Sequence, residues 1–196
     1  MRDRNAPGRP REFDDTEMLR KIMTLFWKTG FDGVSLSHIM NETGLQKASL
    51  YAAFGDKRTM YLKALSQYHN DVVTAAARAL KDVTVPAEDR ISAFLSAPLA
   101  AAEQNDRAGC FLCNASADQA DLDTDTKTQV MRGFEHLAAA LAAPLAERNP
   151  ILTSDELARK SEALLAVYTG LRIMVRSGLP LNRLAGIVPH AMCIAG

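Results

Sequence analysis

Between Gln46 and Tyr51 the chain carries Gln46, Lys47, Ser49 and Tyr51 where a short helix would expose them, with Leu50 and Phe54 turned inward. A glutamine amide can hold the edge of an adenine. A lysine can donate to a guanine edge, or neutralise a phosphate and release its counterions. Arg9 and Arg11 flank Pro10 in a basic segment without helical patterning, a form suited to a narrow minor groove. This is the chemistry of recognition rather than of bond making. A second cluster is Cys110 and Cys113, three residues apart after Gly109. On a helix they share one face, and a helix N-terminus favours the thiolate. Three readings stay open for this pair: packing, sensing of oxidants or electrophiles, or holding a soft ion such as Cu(I) with a third ligand.

Other chemistries find no matching pattern. There is no nucleophile–base–acid set, no phosphate-cradling glycine loop and no paired carboxylates in a helical metal pattern. An enzyme is therefore not expected, nor a cofactor. Asp118, Asp121, Asp123 and Asp125 lack the glycine and terminal glutamate of a calcium loop and read as a solvated turn. His38, His69, His136 and His190 are scattered, so no metal site is expected.

Helices must position these residues. Alternating strand patterns are nearly absent and helical spacing recurs, so the expected class is all-α. Asp14 and Glu17 suggest a capping box for a first helix ending at Gly30, with Phe13 and Met18 as its staple. Ser35 caps a second helix to about Thr43, Gly44 makes the turn, and a third helix runs from Lys47 to Phe54. A long fourth helix is predicted over 58–83. The rest are predicted over 86–105, 110–121, 124–148, 154–177 and 180–194, with kinks or divisions at Pro98 and Pro144.

The division that follows is a basic arm (1–12), a helix-turn-helix domain (13–60) and a C-terminal helical domain (61–196). Net charge is zero, but residues 1–63 hold 11 Lys and Arg against 8 Asp and Glu, so the basic end is N-terminal. No apolar run approaches the ~18 residues of a membrane span. No export signal opens the chain, and the three cysteines do not suggest a disulfide framework. The cytoplasm is expected.

The run Gly30-Phe31-Asp32-Gly33-Val34-Ser35-Leu36-Ser37-His38-Ile39-Met40, then Thr43-Gly44-Leu45, then Ala48 through Lys57, resembles the TetR/AcrR family of regulators. The arm Gly8-Arg9-Pro10-Arg11 and Phe26-Trp27 extend the likeness over residues 8–65. Gly109-Cys110-Phe111-Leu112-Cys113-Asn114 looks like a glycine-cysteine motif of one branch. The resemblance implies an all-helical homodimer with an N-terminal DNA-binding domain and a C-terminal ligand-binding domain. It implies that Ser35 donates to a phosphate, that Tyr51 places its hydroxyl on one, and that Lys57 holds the backbone. Gln46, Lys47 and Ser49 would face base edges or phosphates. Ala52 stands where the family often has His or Tyr, so one groove contact is missing.

The C-terminal half is then expected to enclose an effector pocket lined by Phe94, Phe111, Leu112, Met131, Phe134 and Tyr168, with His136 and Arg172 as polar anchors. The last two helices are expected to form the dimer. Their candidate stripe is Leu157, Ser161, Leu164, Leu165, Tyr168, Leu171, Arg172 and Val175. Such a dimer would read a pseudo-palindromic operator in double-stranded DNA. The expected function is a repressor released by a small molecule. The alternatives are a thiol- or metal-triggered regulator using Cys110 and Cys113 and, more remotely, a helical enzyme or ligand carrier.

Overall fold

Asp14 accepts the N–H groups of Thr16 (2.8 Å) and Glu17 (3.4 Å) and so starts α1 (Asp15–Thr29). Glu17 pairs forward with Lys21 at 3.4 Å. The computed structural model describes residues 14–119 and 123–196. The arm with Arg9 and Arg11, as well as Phe13 and Asp121, lie outside the described residues.

The helices are α2 (Leu36–Thr43), α3 (Lys47–Phe54), α4 (Lys57–Tyr68), a π-helical turn (His69–Val73), α5 (Thr74–Leu80), α6 (Ala87–Glu103), α7 (Phe111–Asp118), α8 (Thr124–Arg148), α9 (Ser154–Arg176), α10 (Leu181–Ala185) and α11 (Ile187–Ala195). The described residues contain no strand. Ile22, Phe26, Ile39, Leu50 and Phe54 are buried and close a small core under α4. That core runs without a break into the apolar interior of α5–α11.

Three expectations on helix limits change. The predicted 58–83 helix is interrupted by the π turn and stops at Leu80. There the Thr74 hydroxyl donates to the His69 carbonyl (3.0 Å), and the branched Val72, Val73 and Thr74 crowd a regular turn. The predicted 180–194 helix breaks at Gly186, because Pro189 has no N–H for the Ala185 carbonyl four residues back. Pro98 and Pro144 divide nothing: each sits on the buried face of a continuous helix. Burial of that face offsets the ~3 kcal/mol of a mid-helix proline.

Carboxylate–arginine pairs tie distant elements. Asp71 takes Arg20 of α1 (2.8 Å), Glu147 takes the buried Arg90, and Glu88 takes Arg148 (2.7 Å). No described helix is long and apolar enough to cross a membrane.

Candidate nucleic-acid interface and the cavity behind it

Gly44 makes the turn between α2 and α3 with a left-handed backbone (φ 72°), and its N–H closes α2 on the Met40 carbonyl. L-residues with a Cβ avoid that conformation, which is why glycine fits. Ser35 begins α2: its hydroxyl accepts the His38 N–H (3.2 Å), and His38 Nδ1 accepts the Ser35 N–H (3.4 Å). Ser35 Oγ also lies 2.7 Å from Ser37 Oγ. His38 is thus a capping residue, exposed at the start of α2.

On α3, Gln46, Lys47, Ser49 and Tyr51 are all exposed, as the sequence predicts. Gln46 makes no capping bond, so its amide is free for other partners. At 100° per residue, Ala48 and Ala52 form the middle of the exposed face. Lys47 and Tyr51 flank it on one side, with the ammonium 5.9 Å from the ring centre, and Ser49 flanks it on the other. The small residues let the helix approach a surface closely, and the polar ones grip its edges. Lys57 parks its ammonium over the Phe31 ring at 4.4 Å. Lys63 donates to the Ala53 carbonyl (3.1 Å) and so satisfies the C-terminus of α3. That role is invisible in the sequence, since Lys63 lies ten residues away on α4.

The C-terminus of α1 is held from the far half of the chain. Its final carbonyls have no helical partner. The Asn114 amide donates to the Trp27 carbonyl (3.0 Å) and to the Ala108 carbonyl (3.0 Å). Arg176 donates to the Lys28 carbonyl (3.2 Å) and the Ala108 carbonyl (2.5 Å). Asp118 accepts the Phe31 N–H at 2.7 Å. Arg58 at the start of α4 binds Asp123 and Asp125 (2.6 Å to the latter), which hold the start of α8. Arg58 and the Thr126 N–H draw the Asp123 carboxyl below its usual range. Asp118, Asp123 and Asp125 are therefore joints between elements rather than a free acidic loop.

Aromatic rings continue the connection. Tyr61 meets Phe26, Phe31 and Phe111 edge-on at 5.1, 5.2 and 5.6 Å. Tyr68 meets Trp27 and Phe111 at 5.0 and 5.7 Å. Phe111 is therefore fully buried in this joint and not a pocket wall, which corrects its expected place.

Cys110 is the N-cap of α7, and Cys113 lies one turn on, half-buried. The Cys113 thiol and N–H and the Tyr68 hydroxyl (3.6 Å) donate to Cys110 sulfur, with Arg172 nearby. Together they hold the Cys110 thiol well below its ordinary range despite burial. Cys113, hydrogen-bonded to Cys110 and desolvated, is pushed up. Among the described residues no third His, Cys, Asp or Glu joins the pair as a metal site would need.

Behind the joint, α5, α6 and α9 enclose a cavity of about 310 Å³ lined by Ala76, Ala79, Ala93, Ala97, Phe94, Tyr168 and Arg172 among others. Phe94 and Tyr168 stack at 4.1 Å, and Arg172 Nε donates to the Tyr168 hydroxyl (2.9 Å). Three expected pocket residues thus meet here. The others do not. Met131 is half exposed on α8, Leu112 is sealed in the core, and His136 stacks on His69 with ring nitrogens 3.1 Å apart. Phe134 lines a separate groove of about 490 Å³ with Cys113, Leu165 and Ile173.

The expected dimer stripe is also displaced. Ser161, Leu164, Leu165, Tyr168, Leu171 and Val175 are buried inside the subunit. The exposed side of α9 is Glu162, Ala166, Ile173 and Met174, with open space around Gly170. Cys193 is exposed on α11.

Residues 19–64 match the family model described as bacterial regulatory proteins, tetR family. The chain is 26% identical over 189 residues to the HTH-type transcriptional repressor ComR of Escherichia coli, covering 94% of this chain and 90% of that one. It is 30% identical over 107 residues to the E. coli repressor BdcR, 55% and 54% of the two chains. Its fold superposes at TM-score 0.78 on a cysteine mutant of the regulator CifR complexed with 26-bp operator DNA (23% identity; 93% and 97% covered). It superposes at 0.77 on reduced E. coli NemR (24%; 92% and 97%).

Proposed function

We propose, from the premise that this chain belongs to the TetR family of bacterial regulatory proteins, that it is a homodimeric repressor whose α3 reads a pseudo-palindromic operator. It acts on double-stranded DNA in the cytoplasm and has no catalytic role. The observation that carries the reading is α3 itself: eight residues on a left-handed glycine turn, exposing Gln46, Lys47, Ser49 and Tyr51 around Ala48 and Ala52. Such a helix fits the major groove. Ser35, Lys57 and the arm residues Arg9 and Arg11 are assigned to the flanking backbone and minor groove. The exposed side of α9, together with α10–α11, is assigned to the dimer.

Release follows from the joints. The α5–α6–α9 cavity is the proposed effector site, with Phe94, Tyr168 and Arg172 as its inner wall. Arg172 and Arg176 lie one turn apart on α9, and Arg176 holds the Lys28 carbonyl. A ligand that shifts this turn, or α7, moves the C-terminus of α1 and with it the attitude of α3. Two recognition helices out of register no longer span half-sites one DNA turn apart. The ligand need only prefer the released state. The test is fluorescence anisotropy on a duplex from the chain's own upstream region across a salt series. Lys47→Ala should weaken binding and reduce the log–log salt slope by about 1.8, about 0.9 for each protomer, if Lys47 neutralises a phosphate. An unchanged Kd and slope would remove Lys47 from the interface.

A second reading makes Cys110 and Cys113 the trigger, and the low-lying Cys110 thiol favours it. Against it, the Cys110 sulfur, whose thiol is lowered, is buried, and the more reachable sulfur is that of Cys113, whose thiol is raised. Cys110→Ser with Cys113→Ser decides: a double variant that oxidants still release from DNA excludes the pair.

A further inference from the structure

We infer that the α5–α6–α9 cavity takes a small aromatic monocarboxylate, with its anion against Arg172 and its ring on the Phe94–Tyr168 wall. The inference rests on reading this cavity as the effector site and adds the chemical class of its occupant.

Among the described arginines that are not exposed, namely Arg90, Arg148 and Arg172, only Arg172 pairs with no carboxylate. Arg20, Arg58, Arg90 and Arg148 each hold a carboxylate. Arg107 and Arg176 donate to carbonyls. Arg172 has its Nε on the Tyr168 hydroxyl, and among the described residues no carboxylate lies within ion-pair distance. The titratable groups around it are the Tyr168 and Tyr68 phenols and the Cys110 thiol. Arg90, on the same cavity wall, shows the contrast: its guanidinium is occupied by Glu147 and the Leu80 carbonyl (2.9 Å). A half-buried guanidinium with no carboxylate partner leaves donors unused, and a planar carboxylate matches its fork.

The rest of the cavity sets the body of the ligand. Ala76, Ala79, Ala93 and Ala97 keep a slot open between α5 and α6 where larger side chains would close it. Phe94 and Tyr168 stack face to face (21°), so the slot ends on an aromatic pair rather than on aliphatic carbon. On the outer side stand the exposed carboxylates of Asp82 and Asp89. They repel a second negative charge on the ligand, which selects a monoanion over a dianion.

The test is calorimetric titration of the full-length protein, without DNA, with phenylacetate, 3-phenylpropanoate, phenylacetamide and phenylmalonate. The monocarboxylates should bind about tenfold or more tightly than the isosteric amide, the strength of a charge-assisted pair. Phenylmalonate should bind more weakly than phenylacetate. Arg172→Met should abolish the preference for acid over amide, and Arg172→Lys should keep part of it. The ligand series on the unmodified protein stands even if Arg172→Met does not fold. Equal binding of acid and amide, or no binding of either acid at millimolar concentration, overturns the inference while leaving the effector site open to a neutral ligand. Acid binding that leaves operator affinity unchanged supports the ligand class and refutes the effector role instead.

Discussion

Replacing Asn114 by alanine removes the amide that joins α7 to the end of α1. Two hydrogen bonds go with it, to the Trp27 and Ala108 carbonyls, both 3.0 Å long and half-buried. Each neutral bond of this kind contributes about 0.5–1.5 kcal/mol net, so the loss should total about 1–3 kcal/mol. For a chain of this size that lowers Tm by about 2–4 °C per kcal/mol. The orphaned Trp27 carbonyl belongs to the last turn of α1, so the damage should be local as well as global. Urea unfolding gives the total, and hydrogen exchange gives the place: peptides over 26–34 should exchange faster than those of α8. Ser116→Ala, exposed on the same helix, is the control. Operator affinity should fall because the recognition helices lose their fixed attitude, although Asn114 is remote from the reading face. A loss under about 0.5 kcal/mol, with exchange over 26–34 matching the control, would refute the idea that α7 holds the reading domain.

Other expectations follow the same reasoning. Gly44→Ala should cost about 1–2 kcal/mol from the left-handed backbone alone, since no atom lies within 4 Å of the added Cβ; Gly44→Asn should recover much of it, and equal urea midpoints for all three would argue against strain at the turn. His69 is held below its ordinary value by burial, then by His136 and Arg132. The unfolded chain therefore takes up that proton first, so stability is complete above about pH 6.5 and falls as pH drops from there through the lowered native value. Urea midpoints should fall between about pH 7.5 and 5.5 in the native chain, and less in His69→Gln; parallel profiles would contradict the assignment. Under alkylation by a bulky maleimide, the exposed Cys193 and then the half-buried Cys113 should react before Cys110; first labelling at Cys110 would show that the native joint opens readily.

The reading domain was legible because its signals are local. Ser35, Gly44 and Gly55 set the limits of α2 and α3 within a few residues of the helices they bound, and the buried spacing of Ile39, Leu50 and Phe54 follows from the helical period. What holds that domain was not legible. Asn114, Asp118, Arg176 and the Arg58–Asp123 pair act on partners tens of residues away in sequence, where no period or cap reports them. Periodicity also names a buried face without naming what buries it, so the α9 stripe was assigned to a partner subunit when it packs inside its own. The same limit applies to the cavity: Phe94, Tyr168 and Arg172 meet across two helices, whereas Met131 and Phe111, equally apolar, face solvent and core.

The central claim is that α3 of each protomer reads one half of a symmetric site. Selection of bound duplexes from a randomised pool by the purified chain tests it directly. The account predicts an enriched inverted repeat with half-sites about one helical turn apart, bound by two protomers or a multiple, at about 10³-fold or more above scrambled duplex. Enrichment of no sequence, or of one that persists unchanged when Gln46, Lys47 and Tyr51 are replaced by alanine, would contradict it.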